Sequence, residues 1–385
     1  MKYERDRTWA EVSLDHLASN FQKLSEWTGP ACDVLCVVKG NAYGHGAIEV
    51  SRELERVGCK ILGVATLEEA MELREAGIRL PVLLLGPIPP SHTALAMENN
   101  LILPLIDEAY AREVSAAAVS AGRTLRAHLK IDTGMSRYGL PVSKDMDGCI
   151  AEALRIVQLP NMQVSGVFTH FAAAGDPYED DFTRRQMRLF RIFSERMEAA
   201  GVKLIRHCAN SPATIRFPQA HYDMIRTGTL LYGFNPFGRL ELEPVMELKT
   251  RITQIKHLAP GDTVGYGRLF TCRRPTDIAI VPFGFVDGIH RSASNKAYML
   301  VNGKPAKIVG KICMDLCFLD VTGIEDVAVG QIVTVFGWDH GVYQSAYALT
   351  DAYPGSAPEL TAVLGTRVPR FYLRNQEVVA CDQKE

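Results

Sequence analysis

The amino-acid sequence predicts an α/β protein with an N-terminal (β/α)8 barrel followed by a mostly β C-terminal domain. Two observations carry this prediction. Eight short apolar runs recur between residues 34 and 227, and after about residue 240 the helical periodicity gives way to short β-branched segments. We expect the barrel to span 12–240 and the β domain to span 241–385, with residues 1–11 joining the β domain as a strand.

The eight apolar runs predict the strands of the barrel. They are VLCVV (34–38), ILGVA (61–65), VLLLG (82–86), LILPLI (101–106), RAHLKI (126–131), SGVFTH (165–170), LIRHCA (204–209) and DMIRT (223–227). Their starts lie about 27 residues apart on average, which leaves room for one strand, one helix and two short loops. Apolar character on both faces is typical of parallel strands covered by helices. A doubly wound open sheet is the alternative, and eight consecutive units favour the closed barrel.

Two of the intervening stretches show clear helical periodicity. TLEEAMELREAG (66–77) has apolar residues at helical spacing and ends at Gly77, a residue typical of the end of a helix. The longer stretch at 179–201 carries Phe and Met residues on one broad face and also ends in glycine. Both are expected to cover the barrel.

The segments after residue 240 predict antiparallel strands. Asn302-Gly303 stands between two β-branched segments, and this dipeptide is typical of a type I′ hairpin because both residues tolerate a positive φ. The N-terminal TWAEVSL segment alternates as a strand does, so we expect it to pair with the second domain.

Composition excludes several classes of protein. The 385 residues carry 42 basic and 44 acidic side chains, a net charge of -2, so no net field favours nucleic acid or an anionic membrane. No signal peptide or transmembrane run is apparent, which predicts a soluble protein that is not exported. Nine cysteines without a C-x-x-C pair indicate reduced thiols in the cytoplasm. The ten scattered histidines predict no metal site.

Catalytic residues of such a barrel are expected at the carboxyl ends of its strands. Lys39 follows the first run and precedes a glycine-rich turn. Burial there would lower the pKa of its amine below the usual value near ~10.4 and leave a neutral nucleophile that can form an imine. A surface lysine just outside a strand is the alternative.

Further polar residues follow the later runs. They are Lys130, Asp132, Arg137, His170, His207, Asn210, Ser211, Arg226, Thr227, Gly228 and Thr229. Taken singly, His170 could be a core histidine, Arg137 a solvated loop residue and Ser211 a helix N-cap. Gly228 and Thr229 are expected to offer free backbone N–H groups where barrels commonly hold a phosphate. A lysine beside a phosphate cradle indicates pyridoxal 5′-phosphate rather than NAD, since no G-x-G-x-x-G follows a strand.

VVKGNAYGHG (37–46) resembles the cofactor signature of the alanine racemase family, in which the lysine binds pyridoxal 5′-phosphate. The resemblance continues in order through LKIDTGMSRYG (129–139), VFTHFAAAGD (167–176), HCANSPAT (207–214), IRTGTLLYG (225–233), VGYGRLF (264–270), GKICMDL (310–316) and TRVPRFY (366–372). It covers nearly the whole chain and implies the same two-domain fold. It also implies a cytoplasmic isomerase that makes a D-amino acid for the cell wall.

The resemblance implies a two-base racemisation of alanine or a closely related small amino acid. Lys39 would act on one face of the substrate and Tyr266 on the other. His207 and Arg226 would stabilise the phenolate of Tyr266. Because Lys39 and Tyr266 fall in different predicted domains, the resemblance implies a homodimer in which each subunit completes the other's site.

The resemblance also implies the remaining site residues. Arg226 would contact the pyridine nitrogen, which favours racemisation over transamination. Arg137 and the backbone of Met314 would bind the substrate carboxylate or the phenolic oxygen of the cofactor, and Lys130 matches a position that is carbamylated in many relatives. The cofactor-binding set is Lys39, Tyr43, His170, Asn210, Ser211, Arg226, Gly228 and Thr229.

Two positions depart from the family pattern. Phe285 and Pro358 stand where the family usually has tyrosines, which leaves open a preference for serine or a larger amino acid. Tyr353 could compensate for Pro358. Two rival functions remain: a barrel-type amino acid decarboxylase, which needs an acidic partner for the pyridine nitrogen, and a small pyridoxal-phosphate-binding protein, which lacks a β domain.

Overall fold

The computed structural model describes residues 5–382, and the chain divides into two compact units. The barrel unit comprises Ala18–Ala42 and Val50–Leu242. The β unit comprises the chain up to Leu17, Tyr43–Glu49 and the chain from Glu243 onward. The ends of the expected β domain, residues 1–4 and 383–385, lie outside the described residues.

Eight parallel strands form the barrel, as predicted from the eight apolar runs. They are β2 (Asp33–Val37), β3 (Ile61–Val64), β4 (Val82–Leu84), β5 (Leu101–Leu105), β6 (Leu125–Lys130), β7 (Met162–Phe168), β8 (Ile205–His207) and β9 (Met224–Thr227). From β2 to β8 each strand pairs with the next along the chain, and β9 pairs with β2. Strands β8 and β9 are not paired in the sheet. The barrel is therefore nearly closed, and we call the break between its last two strands the seam.

Helices alternate with the barrel strands. They are α1 (Leu14–Thr28), α2 (Ala47–Arg56), α3 (Leu67–Glu75), α4 (Thr93–Glu98), α5 (Glu108–Ser120), α6 (Met146–Val157), α7 (Asp180–Ala199) and α8 (Ser211–Arg216). Gly77 follows α3 at a φ of 83°, as expected of a residue that ends a helix. Helix α7 buries Phe190, Phe193 and Met197, which confirms the apolar face predicted from its sequence.

The core explains why the barrel strands appear in the sequence as continuous apolar runs. All five residues of β5 and all three residues of β4 are buried, because the barrel interior covers one face of each strand and helices cover the other. Buried polar side chains stand at the carboxyl ends of three strands: Lys130 in β6, His207 in β8 and Thr227 in β9. Those ends therefore contain the candidate site.

The β unit is built on one large mixed sheet. Its strands are β1 (Thr8–Ser13), β10 (Met246–Arg251), β11 (Gln254–Leu258), β14 (Thr276–Val281), β15 (Tyr298–Val301), β16 (Lys304–Ile308), β17 (Cys317–Asp320), β18 (Ile332–Asp339), β19 (Val342–Gln344), β20 (Arg370–Arg374) and β21 (Glu377–Cys381). A two-stranded sheet of β12 (Thr263–Val264) and β13 (Phe270–Thr271) accompanies it, with two short helices, α9 (Ala346–Thr350) and α10 (Ala357–Ala362).

Two predictions for the β unit are confirmed. Strand β1 lies between β10 and β20 in the large sheet, so the TWAEVSL segment pairs with the C-terminal strands. Asn302 and Gly303 join β15 to β16 with φ values of 52° and 70°, as a type I′ turn requires. Among residues 5–382, we find no helix with the length and apolarity needed to span a bilayer.

Candidate active site

Lys39 begins a turn of left-handed backbone at the carboxyl end of β2. Gly40, Asn41, Ala42 and Tyr43 all have φ between 52° and 62°. This conformation costs roughly 1–2 kcal/mol for each residue other than glycine, so it persists only where the surroundings hold it. Backbone strain of this kind is concentrated at functional sites, and here it immediately follows the candidate nucleophile.

The Lys39 amine is half-buried and lies near a second cation. Burial and the positive charge of Arg137 lower the pKa of this amine, while the carboxylate of Glu69 opposes them. A larger share of the amine is therefore neutral at physiological pH than for a solvated lysine. The neutral form is the one that attacks a carbonyl carbon.

Arg226, at the end of β9, binds the strand ends on the other side of the seam. Its NH1 donates to the carbonyl oxygen of His207 at 2.6 Å, and its NH2 donates to the carbonyl oxygens of Thr169 at 2.5 Å and Cys208 at 3.3 Å. These carbonyls lie near the carboxyl ends of β7 and β8. The guanidinium is only 4% exposed and stays charged at neutral pH, since burial lowers its pKa only to about 10.

A chain of hydrogen bonds with one direction runs from Arg226 through two buried histidines. A guanidinium has no acceptor atom, so Nδ1 of His207, 3.3 Å from NH1 of Arg226, must accept. The Nε2–H of His207 then donates to Nδ1 of His128 at 2.9 Å. Burial lowers the pKa of His128 to about 3, and burial and His128 lower that of His207. Both rings are therefore neutral, and both nitrogens of His207 are engaged.

His170 is the second histidine beside Arg226. Its Nδ1 lies 3.4 Å from NH2 of Arg226, and the residue is half-buried. Burial and the charge of Arg226 lower the pKa of His170 well below its ordinary value, so this ring is neutral as well. No described residue forms a hydrogen bond with its Nε2 atom.

Lys130 adds a further cation at the end of β6. Its Nζ donates to the carbonyl oxygen of Leu85 at 2.9 Å and lies 4.7 Å from the ring centre of Phe168. Burial and the neighbouring charges of Arg137 and Arg226 lower its pKa to about 7. A lysine with this pKa is neutral for a large share of the time at physiological pH.

The loop between β6 and α6 carries Arg137 into the same region. Asp132 organises this loop, because its Oδ1 accepts the backbone N–H groups of Gly134 at 2.8 Å and Met135 at 2.9 Å. Arg137 itself is exposed. Within residues 5–382, no carboxylate forms an ion pair with Arg137 or with the other three cations of this site, namely Lys39, Lys130 and Arg226.

The residues after β8 and β9 differ in part from the predictions. The expectation that the Gly228 N–H is free is wrong, because this group donates to Oγ of Ser211 at 3.0 Å. Ser211 keeps its own hydroxyl hydrogen as a donor. The N-cap of α8 is Asn210 rather than Ser211, and the Asn210 side chain is engaged by the Ala213 N–H at 3.2 Å. Ser211 is the first residue of α8, and the proline that follows it lies in the first turn, where a helix does not need the missing N–H.

Two further hydroxyl groups have the chemistry of anion ligands. Thr227 is fully buried, and its Oγ1 has no hydrogen-bond partner among the described residues. Tyr43 is half-buried, and burial raises its pKa to about 12, so its hydroxyl remains a donor at neutral pH. No group of three or more potential metal ligands occurs within residues 5–382.

The candidate residues of the β unit are exposed. Tyr266 is 65% exposed and Met314 is 55% exposed, and Leu269, Phe285 and Val286 are further exposed apolar residues of this unit. We call these five residues the exposed apolar set. Tyr266 begins a short turn between Gly265 and Gly267, both at positive φ. Backbone bonds from Phe285 to Cys313 and from Val286 to Met314 place three of these residues on adjacent loops, and adjacent exposed apolar side chains are typical of a contact surface.

A buried carboxylate fixes the two loops that carry Phe285 and Met314. Asp287 is fully buried, and Arg7 binds both of its oxygens at 2.8 Å while Arg367 binds it at 2.9 Å. The Val286 N–H donates to the carbonyl oxygen of Met314 at 3.1 Å. Burial raises the pKa of Asp287, but the two arginines and a backbone N–H outweigh it and keep the carboxylate charged.

Pro358 lies in the first turn of α10, after the N-cap Ser356. A proline has neither hydroxyl nor aromatic ring, so this position cannot make the contacts that a tyrosine would make there. The Tyr353 ring stacks on His290, with ring centres 5.3 Å apart. The structure thus engages Tyr353 with a neighbour in its own unit.

Three groups of this site were not predicted from the sequence. They are Glu69, the carbonyl oxygen of Leu85 and His128. Thr227 was named among the polar residues that follow the barrel strands, but the sequence did not show that its hydroxyl has no partner among the described residues. Glu69 carries a sequence signal, since a threonine three residues before it forms a capping box. His128 also carries one, because it alternates with Lys130 along β6 and so shares its face.

Comparisons with known proteins agree with this geometry. The family models for the N-terminal and C-terminal domains of alanine racemase match residues 12–236 and 245–372. The alanine racemase of Desulfosudis oleivorans is 39% identical over 375 residues, which cover 94% of this chain and 96% of that protein. The structure of the Clostridium difficile alanine racemase matches with a TM-score of 0.92 at 32% identity and covers 99% of both chains.

A third comparison concerns the cofactor. The crystal structure of the Bartonella henselae alanine racemase with covalently bound pyridoxal phosphate matches with a TM-score of 0.85 at 25% identity. It covers 95% of this chain and 99% of that one. The bound group is a property of that protein.

The neutral His128 ring predicts sensitivity to acid. The unfolded chain protonates this histidine below pH ~6.5, whereas the folded protein resists protonation down to a pKa of about 3. The stability that neutral His128 contributes is therefore present above pH ~6.5 and is lost as the pH falls, by about 2 kcal/mol at pH 5. His128→Asn should reduce the loss of unfolding free energy between pH 7 and pH 5, as measured by urea titration.

The control for this experiment is the same substitution at His92, which is exposed. His92→Asn should leave the pH dependence as in the wild type. An unchanged pH dependence in the His128 variant would show that the folded protein protonates this ring.

Proposed function

The chain belongs to the alanine racemase family, and from this premise we propose that it interconverts L- and D-alanine with pyridoxal 5′-phosphate attached to Lys39. The observation that carries the proposal is the Lys39 amine itself. Its pKa is lowered, it stands at the carboxyl end of a barrel strand, and three further cations without carboxylate partners among the described residues accompany it. Such a site fits an anionic carbonyl compound.

The donor set of the barrel unit fits this cofactor. A phosphate group requires several hydrogen-bond donors, and the buried Thr227 hydroxyl has no partner among the described residues. Ser211 and Thr229 supply the further candidate donors. When bound, pyridoxal 5′-phosphate supplies an electron sink that acidifies the Cα–H bond of the substrate.

Arg226 is the residue proposed to face the pyridine nitrogen. Its hydrogen bonds to the described residues run through the two terminal nitrogens of the guanidinium, so the Nε–H group is left to donate toward the pyridine nitrogen. A guanidinium donates but does not give up its proton, and it therefore leaves the nitrogen opposite it unprotonated. A cofactor held in this way would be a weaker electron sink, which would favour return of the proton to Cα, and so racemisation, over transamination.

Two residues are proposed as the acid and base on opposite faces of the substrate. The Lys39 amine takes up or returns the Cα proton on the face that leads to D-alanine, and the phenol of Tyr266 of the partner subunit does so on the face that leads to L-alanine. An ordinary phenol has a pKa near ~10 and needs a neighbouring cation or donor to act as a base at neutral pH.

We assign the relay that supports this phenol to His170 and Arg226. The resemblance implied His207 for this role, but its Nδ1 accepts from Arg226 and its Nε2 donates to His128. His207 would then orient Arg226, while the Nε2 atom of His170 remains to meet the phenol. The neutral state of His170 suits a group that passes a proton.

Arg137 and the backbone of Met314 are proposed to bind the substrate carboxylate or the phenolic oxygen of the cofactor. Carbamylation of Lys130 would support Arg137. The neutral amine of Lys130 can add to CO2 with loss of a proton, and a pKa of about 7 supplies this form. The resulting anion would give Arg137 the partner that the described carboxylates do not provide.

The exposed apolar set supports a homodimer with shared active sites. Tyr266 and Met314 belong to this set, and a partner copy would cover it. All nine cysteines are unpaired, which fits the reducing cytoplasm that we propose as the location.

Alanine is the proposed substrate, and serine or a larger amino acid is the alternative that one observation favours. Pro358 removes a ring and a hydroxyl relative to the tyrosine that the family usually has, and Phe285 removes another hydroxyl. Less ring volume at position 358 leaves space for a side chain larger than a methyl group. The decarboxylase is disfavoured because Arg226 stands where it needs an acid, and the small binding protein because this chain has a large β sheet.

The first test measures the reaction with single enantiomers. The purified holoenzyme should convert L-alanine to the racemate without releasing CO2, with slower or comparable inversion of L-serine, as resolved by chiral chromatography. Tyr266→Phe should lower turnover by about 10²- to 10⁴-fold because it removes one of the two acid/base groups. Release of CO2 without inversion would establish the decarboxylase instead.

A second test examines the shared site. Lys39→Ala and Tyr266→Phe should each be inactive alone, and a mixture refolded together should recover about a quarter of the wild-type specific activity, since half of the dimers then contain one intact site of two. Mixing either variant with itself is the control. Activity that stays at the level of the separate variants would show that each chain builds its own site.

A further inference from the structure

One carboxylate connects the Lys39 turn to the loop after β3. Oε1 of Glu69 accepts the Gly40 N–H at 2.6 Å, and its Oε2 accepts the Ala65 N–H at 2.7 Å and the Thr66 N–H at 3.3 Å. Glu69 is half-buried. Its two oxygens therefore serve different segments of the chain.

The bonds of Oε2 have an ordinary explanation. Thr66 is the N-cap of α3, its hydroxyl accepts the Glu69 N–H at 3.3 Å, and the Glu69 side chain returns to the N-cap backbone. This reciprocal pair is a capping box, which satisfies N–H groups at the start of a helix. The capping box requires nothing from Oε1.

The bond of Oε1 acts on the strained turn instead. Gly40 is the first residue of the left-handed segment, and its N–H is the donor that directly follows Lys39. A second bond, from the Ala42 N–H to the carbonyl oxygen of Val38 at 2.8 Å, spans the turn. A hydrogen bond to a charged acceptor is stronger than one between neutral groups, so the Glu69 bond is suited to hold a backbone that would otherwise relax.

We propose that Glu69 is a positioning residue for Lys39, and that its carboxylate holds the Gly40 N–H so that the left-handed turn keeps the lysine amine where it attacks the cofactor aldehyde. This inference rests on the proposed function, in which Lys39 forms the imine. It assigns to Glu69 a second role, distinct from capping α3. The negative charge of Glu69 also acts on the Lys39 amine, where it opposes the effects of burial and of Arg137 on the pKa.

Two neighbouring substitutions separate the two roles. Thr66→Ala removes the N-cap hydroxyl but leaves the bond from Gly40 to Glu69. Glu68→Ala removes a carboxylate from the same first turn of α3, where Glu68 bonds to the Thr66 side chain while Glu69 accepts the Gly40 N–H. Glu69→Ala removes both roles, and Glu69→Gln keeps one amide oxygen as an acceptor while its NH2 group faces the other donors.

The experiment follows imine formation after pyridoxal 5′-phosphate is added to the apoprotein of each variant. Absorbance gives the rate, and borohydride reduction followed by peptide mass mapping identifies the lysine. Glu69→Ala should slow imine formation at Lys39 at least tenfold, and Glu69→Gln should slow it about threefold. Thr66→Ala and Glu68→Ala should stay within twofold of the wild type. Amide hydrogen exchange of the peptide that covers residues 38–45 should be faster in both Glu69 variants and unchanged in the two controls.

The possible results separate the inference from the proposed function. Equal slowing by Thr66→Ala and Glu69→Ala would show that only the helix cap matters and would overturn the positioning role. A wild-type rate and wild-type exchange in Glu69→Gln would overturn it as well, should Glu69→Ala fail to fold. Absence of an imine at Lys39 in the wild type would contradict the proposed function, and hydrogen exchange would then still decide whether Glu69 holds the turn.

Discussion

The candidate site depends on one constraint: its positively charged side chains form no ion pair with a carboxylate of the described residues. The charge of Arg137 lowers the pKa values of Lys39, Lys130 and Arg226. Within the described residues, none of these four side chains forms an ion pair with a carboxylate. A buried charge without a partner is costly, so the lysines lower their pKa values. The same shortage of anions prepares the barrel mouth for a ligand that brings its own negative charge.

The seam of the barrel makes Arg226 both structural and functional. Strands β8 and β9 do not pair in the sheet, but the Asp223 N–H donates to the carbonyl oxygen of Arg206 and the Arg226 N–H donates to that of Ala209. The guanidinium adds bonds to carbonyl oxygens at the ends of β7 and β8. These bonds hold the side chain in one orientation. They also fix the direction of the chain from Arg226 to His207 and His128, because the guanidinium can only donate. The same residues that connect the last strands of the barrel therefore place a neutral histidine beside the permanent charge of Arg226.

The sequence predicted the elements better than it predicted the contacts between them. The strands and Lys39 could be predicted because burial on both faces leaves a continuous apolar run in the sequence, and a lysine directly after such a run is easily recognised. The bonds of Glu69 to Gly40 and of His128 to His207 join residues 29 and 79 positions apart, so they depend on how the barrel closes. Gly228 looked like a free donor, whereas the structure engages its N–H with Ser211. Local sequence patterns do not show whether a backbone N–H group has a hydrogen-bond partner elsewhere in the fold.

The central claim is that the cations of the barrel mouth hold an anionic cofactor which Lys39 binds covalently. The most direct test compares the affinity of the apoprotein for pyridoxal 5′-phosphate and for pyridoxal, which lacks the phosphate, at two salt concentrations. The phosphorylated compound should bind at least a hundredfold more tightly, and added salt should weaken its binding. Equal affinities for the two compounds, independent of salt, would contradict it.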